Sequence, residues 1–152
     1  MNYWLMKCEP MAYNIDDLER DNKSMWEGCR NYQVRNRLRD EMQIGDLAFF
    51  YHSNANPSGI VGTMKIVSKS YPDPTQFDPN SKYFDPKSKP ENPTWFVVNV
   101  EFQSKFKEII SLEILKNTLG LEQMQVTRKG QRLSVLPVAA KDWEIIVSLA
   151  SF

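Results

Sequence analysis

Apolar positions along the chain recur at two spacings, and each predicts its own element. Tyr3 to Lys7 in YWLMKCEP form a short apolar run closed by Pro10, which predicts a buried strand. NIDDLERD predicts a short helix capped by Asn14, with Asp16 and Asp17 in its first turn, at the positive end of the helix dipole. In NYQVRNRLRDEM, Val34, Leu38 and Met42 fall four apart, so they form one narrow buried stripe of a stronger helix. Arg35 and Arg39 share another face of it. QIGD is a turn. LAFFYHS is apolar on both faces and predicts a strand with no solvent side. NANPSG is a loop and IVGTMKIVSKS the return strand, which makes a hairpin. Gly62 inside that strand predicts a bulge, a bend or close approach of another backbone or a ligand.

Between Tyr71 and Pro93 the pattern stops. This segment holds six of the nine prolines and no aliphatic residue, so it is neither a central strand nor a helix. It carries Tyr71, Phe77, Tyr83 and Phe84, which predicts a loop pinned to the body rather than a free linker. TWFVVNVEFQSKF then reads as one strand, with Phe96, Val98, Val100 and Phe102 alternating against Trp95, Val97, Asn99 and Glu101. SLEILKNT predicts a short helix capped by Ser111. LSVLPV predicts a last strand that Pro137 places at an edge. AAKDWEIIVSL closes as a helix burying Trp143, Ile146, Val147 and Ala150. The helices are too few and too short for a doubly wound parallel sheet. A small, strongly bent β-barrel with peripheral short helices, an α+β fold, suits the pattern better, in one domain over 1–152.

Charge changes this picture little. Lys plus Arg equals Asp plus Glu at 19 each, so an anionic partner must be met by a local patch. No secretory signal and no apolar run of membrane-spanning length is present, which predicts a cytoplasmic protein, or a nuclear one in a eukaryote. Cys8 and Cys29 match no zinc-ligand spacing, and His52 is the one histidine, so no metal or other cofactor is expected. The unusual stretch is WEGCRNYQVRN, Trp26 to Asn36. It combines a Trp, a Tyr, two Arg and two Asn, the rings, guanidinium forks and amides that hold a planar polar ligand.

Six blocks in order, YWLMKCEP, WEGCRNYQVRN, GDLAFFYHSN, YPDPTQFDPNSKYFDPKS, NPTWFVVNVEF and KGQRLSVLPV, closely resemble the EVE-domain family from Tyr3 to Trp143. Two residues depart from the family pattern: Cys8, where Ser is common, and Cys29, where Val is. The resemblance implies a PUA-like barrel, kin to the YTH, SRA and ASCH domains. It implies a module that reads a modified nucleobase in DNA or RNA, without chemistry. A base taken out of its stack needs aromatic faces and polar groups at its edge. Trp26 is expected as one wall, and Tyr83 or Phe84 as the facing one. Asn31, Ser53 and Asn54 are expected at the base edge, with Arg30, Tyr32, His52 and Ser134 completing the pocket. Asn31 also suits the N-cap of the helix starting at Tyr32. Arg35, Arg128, Lys129 and Arg132 are expected on phosphates, whereas Arg37 and Arg39, followed by Asp40 and Glu41, read as solvated charges.

Two alternatives belong to other classes. ASCH-like kinship admits a base-modifying amidohydrolase using Lys7 and Glu9, and Cys29 with His52 is a conceivable dyad. A protein-interaction module is the third reading, favoured if the pocket is filled by its own side chains.

Overall fold

The structure is a computed structural model that describes residues 1–151. Its centre is a six-stranded mixed sheet in the order β2-β7-β4-β3-β1-β8. The strands are β1 (Tyr3–Cys8), β2 (Lys23–Met25), β3 (Leu47–His52), β4 (Gly59–Ile66), β7 (Asn99–Ser111) and β8 (Val135–Val138). Only β1 and β3 run parallel; β3–β4, β4–β7, β2–β7 and β1–β8 are antiparallel. A separate two-stranded ribbon joins β5 (Tyr71–Pro72) to β6 (Phe96–Val97).

Apolar residues on both faces of β1 and β3 make a three-layer arrangement. Trp4, Met6, Ala48 and Phe50 face one cluster, where α1 (Ile15–Asp21) adds Ile15 and Leu18, and α2 (Tyr32–Asn36) adds Val34. Leu5, Phe49 and Tyr51 face the other, with Leu115 of α3 (Leu112–Asn117) and Trp143 and Ile146 of α4 (Ala140–Leu149). Alternation along a strand sends neighbours to opposite faces, so one run of apolar residues feeds two cores.

Three register shifts bend the sheet into a half-barrel whose edges are β2 and β8. One lies at Phe50/Tyr51 between β3 and β4, and two lie between β4 and β7, at Ile60/Gly62 and Thr63/Met64. Bulges increase local twist and curvature. Gly62 sits at one of them, and a Cβ there would stand 2.2 Å from the Ser104 carbonyl oxygen, so the expected close approach is of backbone.

Most predicted elements are present. Asn14 caps α1 through Asp17 N–H in a reciprocal capping box, Ser111 caps α3, and Pro137 lies in the edge strand β8. Two differ. The helix expected to run from Tyr32 to Met42 is α-helical only to Asn36 and π-helical over Arg37–Glu41, although Val34, Leu38 and Met42 are buried as expected. The single strand expected at TWFVVNVEFQSKF divides at Val98 into β6 and β7, because Phe96 and Val97 pair with the Pro-rich segment while Asn99 onward pairs with β4 and β2. β7 also runs on to Ser111.

Candidate base-sized cleft beside Trp26

Trp26 owes its place to a short run of local choices. Asn22 ends α1 in a positive-φ conformation, and Lys23–Met25 then pair with β7 as the edge strand β2. The Trp26 N–H donates to the Val98 carbonyl at 2.9 Å and carries the pairing one residue further. Its ring packs edge-on against Phe50, centroids 5.3 Å apart at 80°. Only 8% of the residue is exposed. Yet Trp26 also lines an open cleft, so it is at once a core side chain and part of the cleft lining.

The cleft has two connected lobes of about 240 and 300 Å³ that share Lys7, Cys8, Ala12, Trp26, Glu27, Lys82 and Tyr83. The first adds Tyr13, Ser24 and Met25; the second adds Glu9, Gly28, Cys29, Ser134 and Val135. These volumes lie at or below the low end of the roughly 300–1,000 Å³ typical of small-molecule sites. Of the two loop aromatics, Tyr83 lines both lobes and Phe84 lines neither. Tyr83 reaches the cleft because Gly28 has φ +87° and no side chain: a Cβ there would lie 2.7 Å from Tyr83 Cζ. The Lys82 ammonium stands 5.0 Å from the Tyr83 ring centre.

The loop that carries Tyr83 is held by polar bonds. Arg30 donates to the Tyr83 carbonyl (2.7 and 3.2 Å), the Cys29 carbonyl (2.7 Å), Thr75 Oγ1 (3.2 Å) and the carboxylate of fully buried Asp73 (3.0 Å). Gln76, also fully buried, donates to the Asp73 and Trp95 carbonyls and accepts from Trp95 N–H and Ser88 Oγ. The Trp95 indole N–H donates to Asp85 at 2.8 Å, and that bond, before all other causes, holds the Asp85 carboxyl below the usual range.

The predicted site residues fall into three groups. Trp26, Tyr83 and Ser134 come together on the cleft. Ser53, Asn54 and His52 stand behind it. Ser53 N–H donates to the Cys8 carbonyl, and Asn54 Nδ2 donates to Glu9 at 2.6 Å. His52 Nε2 accepts the Ile15 N–H at 3.2 Å, and burial pushes its pKa down. The rest lie elsewhere. Arg30 is spent on the loop just described. Asn31 is the N-cap of α2, accepting Val34 N–H. Tyr32, 62% exposed, stacks on Trp95 at 5.1 Å, outside the cleft. Arg35 lies 5.0 Å from the Tyr32 ring centre and donates to the Thr94 carbonyl, so it too serves the loop. Arg128, Lys129 and Arg132 are exposed on the segment that leads into Ser134. Arg37, read as a solvated charge, instead donates to the Val135 carbonyl. Arg39, read as a solvated charge, lies at the surface and pairs with the neighbouring Asp40.

Sequence reasoning missed Ser24, Met25, Glu27 and Lys82 on the cleft. Their signal was adjacency, since Met25, Glu27 and Lys82 flank Trp26 and Tyr83 directly and Ser24 stands two residues before Trp26. The two dyads weighed from sequence are not assembled. Cys29 Sγ points to the Asn31 carbonyl, burial raises its pKa, and His52 is engaged with Ile15. The Lys7 ammonium lies 5.7 Å from the Tyr51 ring centre, and no Lys7–Glu9 ion pair exists among the described residues. Among these residues no acidic, Cys or His cluster could hold a metal ion, and no helix is long and apolar enough to cross a membrane.

Comparison with known proteins places this geometry. The model of the EVE domain matches residues 2–149. Thymocyte nuclear protein 1 of Rattus norvegicus is 44% identical, covering 97% of this chain and 73% of its own. A crystal structure of protein PSPTO5229 from Pseudomonas syringae is 48% identical with a TM-score of 0.93, covering 97% of this chain and 98% of that one. Human THYN1, solved in complex with 5-methylcytosine-containing DNA, is 40% identical with a TM-score of 0.91, covering 98% of this chain and 97% of that one. A YTH domain from Zygosaccharomyces rouxii, solved with N6-methyladenosine RNA, has a TM-score of 0.57 at 11% identity and so shares the fold alone. The half-barrel is therefore PUA-like, and the chain belongs to the EVE-domain family.

Proposed function

We propose that this protein binds nucleic acid by taking a modified base into the cleft between Trp26 and Tyr83. The carrying observation is the cleft itself: Trp26 and Tyr83, from distant segments, line both lobes of an open, base-sized space, with Tyr13 beside them in one lobe. Stacking on such walls contributes about 1–3 kcal/mol per base. Ser24, Ser134 and Glu27 supply hydroxyl and carboxylate groups for the base edge; a carboxylate suits an exocyclic amino group. Arg128, Lys129 and Arg132 are exposed, Arg128 with one long bond to the Gln123 carbonyl at 3.4 Å, and can meet phosphates beside the bound base. The complex of human THYN1 with 5-methylcytosine-containing DNA supports the ligand class, because that protein shares nearly the whole length of this fold. Binding without chemistry accords with the separation of the two dyads. A cytoplasmic or nuclear place of action goes with a nucleic-acid ligand and with the name of the vertebrate relatives.

Anisotropy titrations at fixed physiological salt test the reading. The panel is DNA and RNA, single- and double-stranded, each plain or carrying 5-methylcytosine or N6-methyladenine. We expect a modification-dependent gain that falls about 10- to 100-fold in Tyr83→Ala, from the stacking energy above. Trp26→Ala should lose the same gain, but it also removes a buried ring, so its folding is checked by circular dichroism and Tyr83→Ala carries the test. Affinity that ignores modification and collapses with salt would sink the reading.

A further inference from the structure

We infer that Met11 is a wedge that enters the base stack where the bound nucleotide has left it, so that the preferred ligand is a duplex rather than a single strand. The inference rests on the base-cleft reading above. Met11 is 97% exposed, more than any other large apolar side chain described. Scattered exposed apolar residues are ordinary, and Leu119, 88% exposed, is one: neither of its sequence neighbours lines the cleft. Met11 differs by position. It stands between Glu9 and Ala12, both of which line the cleft.

Its mount is rigid. Pro10 fixes the backbone before it. The N–H groups of Ala12 and Tyr13 both donate to the Glu9 carbonyl, at 2.9 and 3.0 Å, and close the turn. Asn54 holds the Glu9 carboxylate at 2.6 Å, Ser53 holds the Cys8 carbonyl at 3.1 Å, and the Tyr13 hydroxyl is tied to Asp21 at 2.8 Å. An apolar side chain that no protein atom covers is thus held out from the cleft rim on a turn tethered at both ends.

A base turned out of a duplex leaves its neighbours unstacked, which costs free energy. Apolar side chains, Met among them, relieve that cost by inserting at the base step. An unbranched, polarisable thioether suits a thin slot between rings. A flexible single strand presents no such gap, because its neighbouring bases can close up or swing away. The wedge therefore acts on duplex ligand only.

The test compares the full-length wild type with Met11→Ala and Met11→Leu. The probes are a short DNA duplex with one central 5-methylcytosine, a second with N6-methyladenine, and the corresponding single strands. A 2-aminopurine beside the modified base reports unstacking. We expect Met11→Ala to bind the preferred duplex about tenfold more weakly, with Met11→Leu close to wild type and all three equal on the single strand. Equal duplex affinity for wild type and Met11→Ala overturns the wedge and leaves the base-cleft reading standing. An equal loss on single strand and duplex also overturns it, since Met11 would then act on the cleft alone. Binding by wild type that ignores modification in every probe overturns both.

Discussion

The two aromatic walls of the cleft are held by opposite physics. Trp26 leaves an edge strand and sinks into the apolar cluster under the sheet, against Phe50. Tyr83 sits on a proline-rich loop that contributes no strand to the main sheet. Its support is a polar network, the fully buried Asp73 and Gln76 with the partly buried Arg30, whose bonding groups face each other across wide sequence gaps. An apolar wall tolerates small losses gradually, since each methylene counts for little alone. A buried polar network does not: removing one partner strands the others without water. The Tyr83 wall should therefore fail first and most abruptly.

Arg30→Ala is the sharpest way to break it. The change leaves the fully buried Asp73 carboxylate with only Thr75 as partner and releases the Tyr83 carbonyl. Breaking a buried pair by deleting one member costs about 3–5 kcal/mol. We expect that loss in denaturant unfolding. Hydrogen exchange should rise across residues 73–95 at conditions where amides of β1 and β3 stay protected. Arg30→Lys should rescue little, because one ammonium cannot reach four acceptors in a fork. Wild-type protection of 73–95 in Arg30→Ala would show that the loop stands without its arginine.

Gly28→Ala tests the seating of the Tyr83 ring on Gly28 rather than the support of either wall. The residue would be strained at φ +87°, and its methyl would overlap the Tyr83 ring at 2.7 Å. A non-glycine residue held at such an angle costs about 1–3 kcal/mol, so stability should fall less than in Arg30→Ala. Binding should suffer more than stability, because Tyr83 must tilt and reshape the cleft. If Gly28→Ala binds the modified duplex as wild type does, Tyr83 does not set the cleft width.

The same contrast explains what the sequence made legible. Trp26 stood out because a Trp beside arginines and asparagines is unusual, and the double-faced strands Tyr3–Cys8 and Leu47–His52 announced themselves by unbroken apolar runs. Arg30 was equally visible, but its partner could not be read: Asp73 lies 43 residues away inside a segment with no periodicity. A side chain with five donors suits a phosphate or a buried carboxylate equally well, and only tertiary placement chooses. The π-helical turn at Arg37–Glu41 was hidden for a related reason. Its apolar stripe at Val34, Leu38 and Met42 is the stripe an α-helix would show. β2 was missed because three mostly polar residues at a sheet edge carry no pattern of their own.

The smallest effect belongs to the third side of the cleft, where Ala12 and Tyr13 lead into α1. His52 holds that helix by accepting the Ile15 N–H through Nε2, which only the neutral ring can do. Burial lowers its pKa from the ordinary value of about 6.5. A base whose folded pKa is depressed binds more protons when unfolded, so stability rises with pH through that window. The His52 contribution is then complete above its unfolded pKa and is lost as pH falls through about 6.5 toward the lower folded value. Carboxylates with lowered values, such as Asp85, act only further to the acid side. We expect thermal stability to drop between pH 7.5 and about 5.5, and we expect that drop to shrink in His52→Gln, whose amide can accept the same bond without titrating. The change should be smaller than those at Arg30 or Gly28, because the ring is only half-buried and Asp16 opposes the shift. An unchanged pH slope in His52→Gln would show that protonation of the ring leaves α1 in place, and that the side of the cleft built from Ala12 and Tyr13 is secured by Asn14, Ile15 and Leu18 alone.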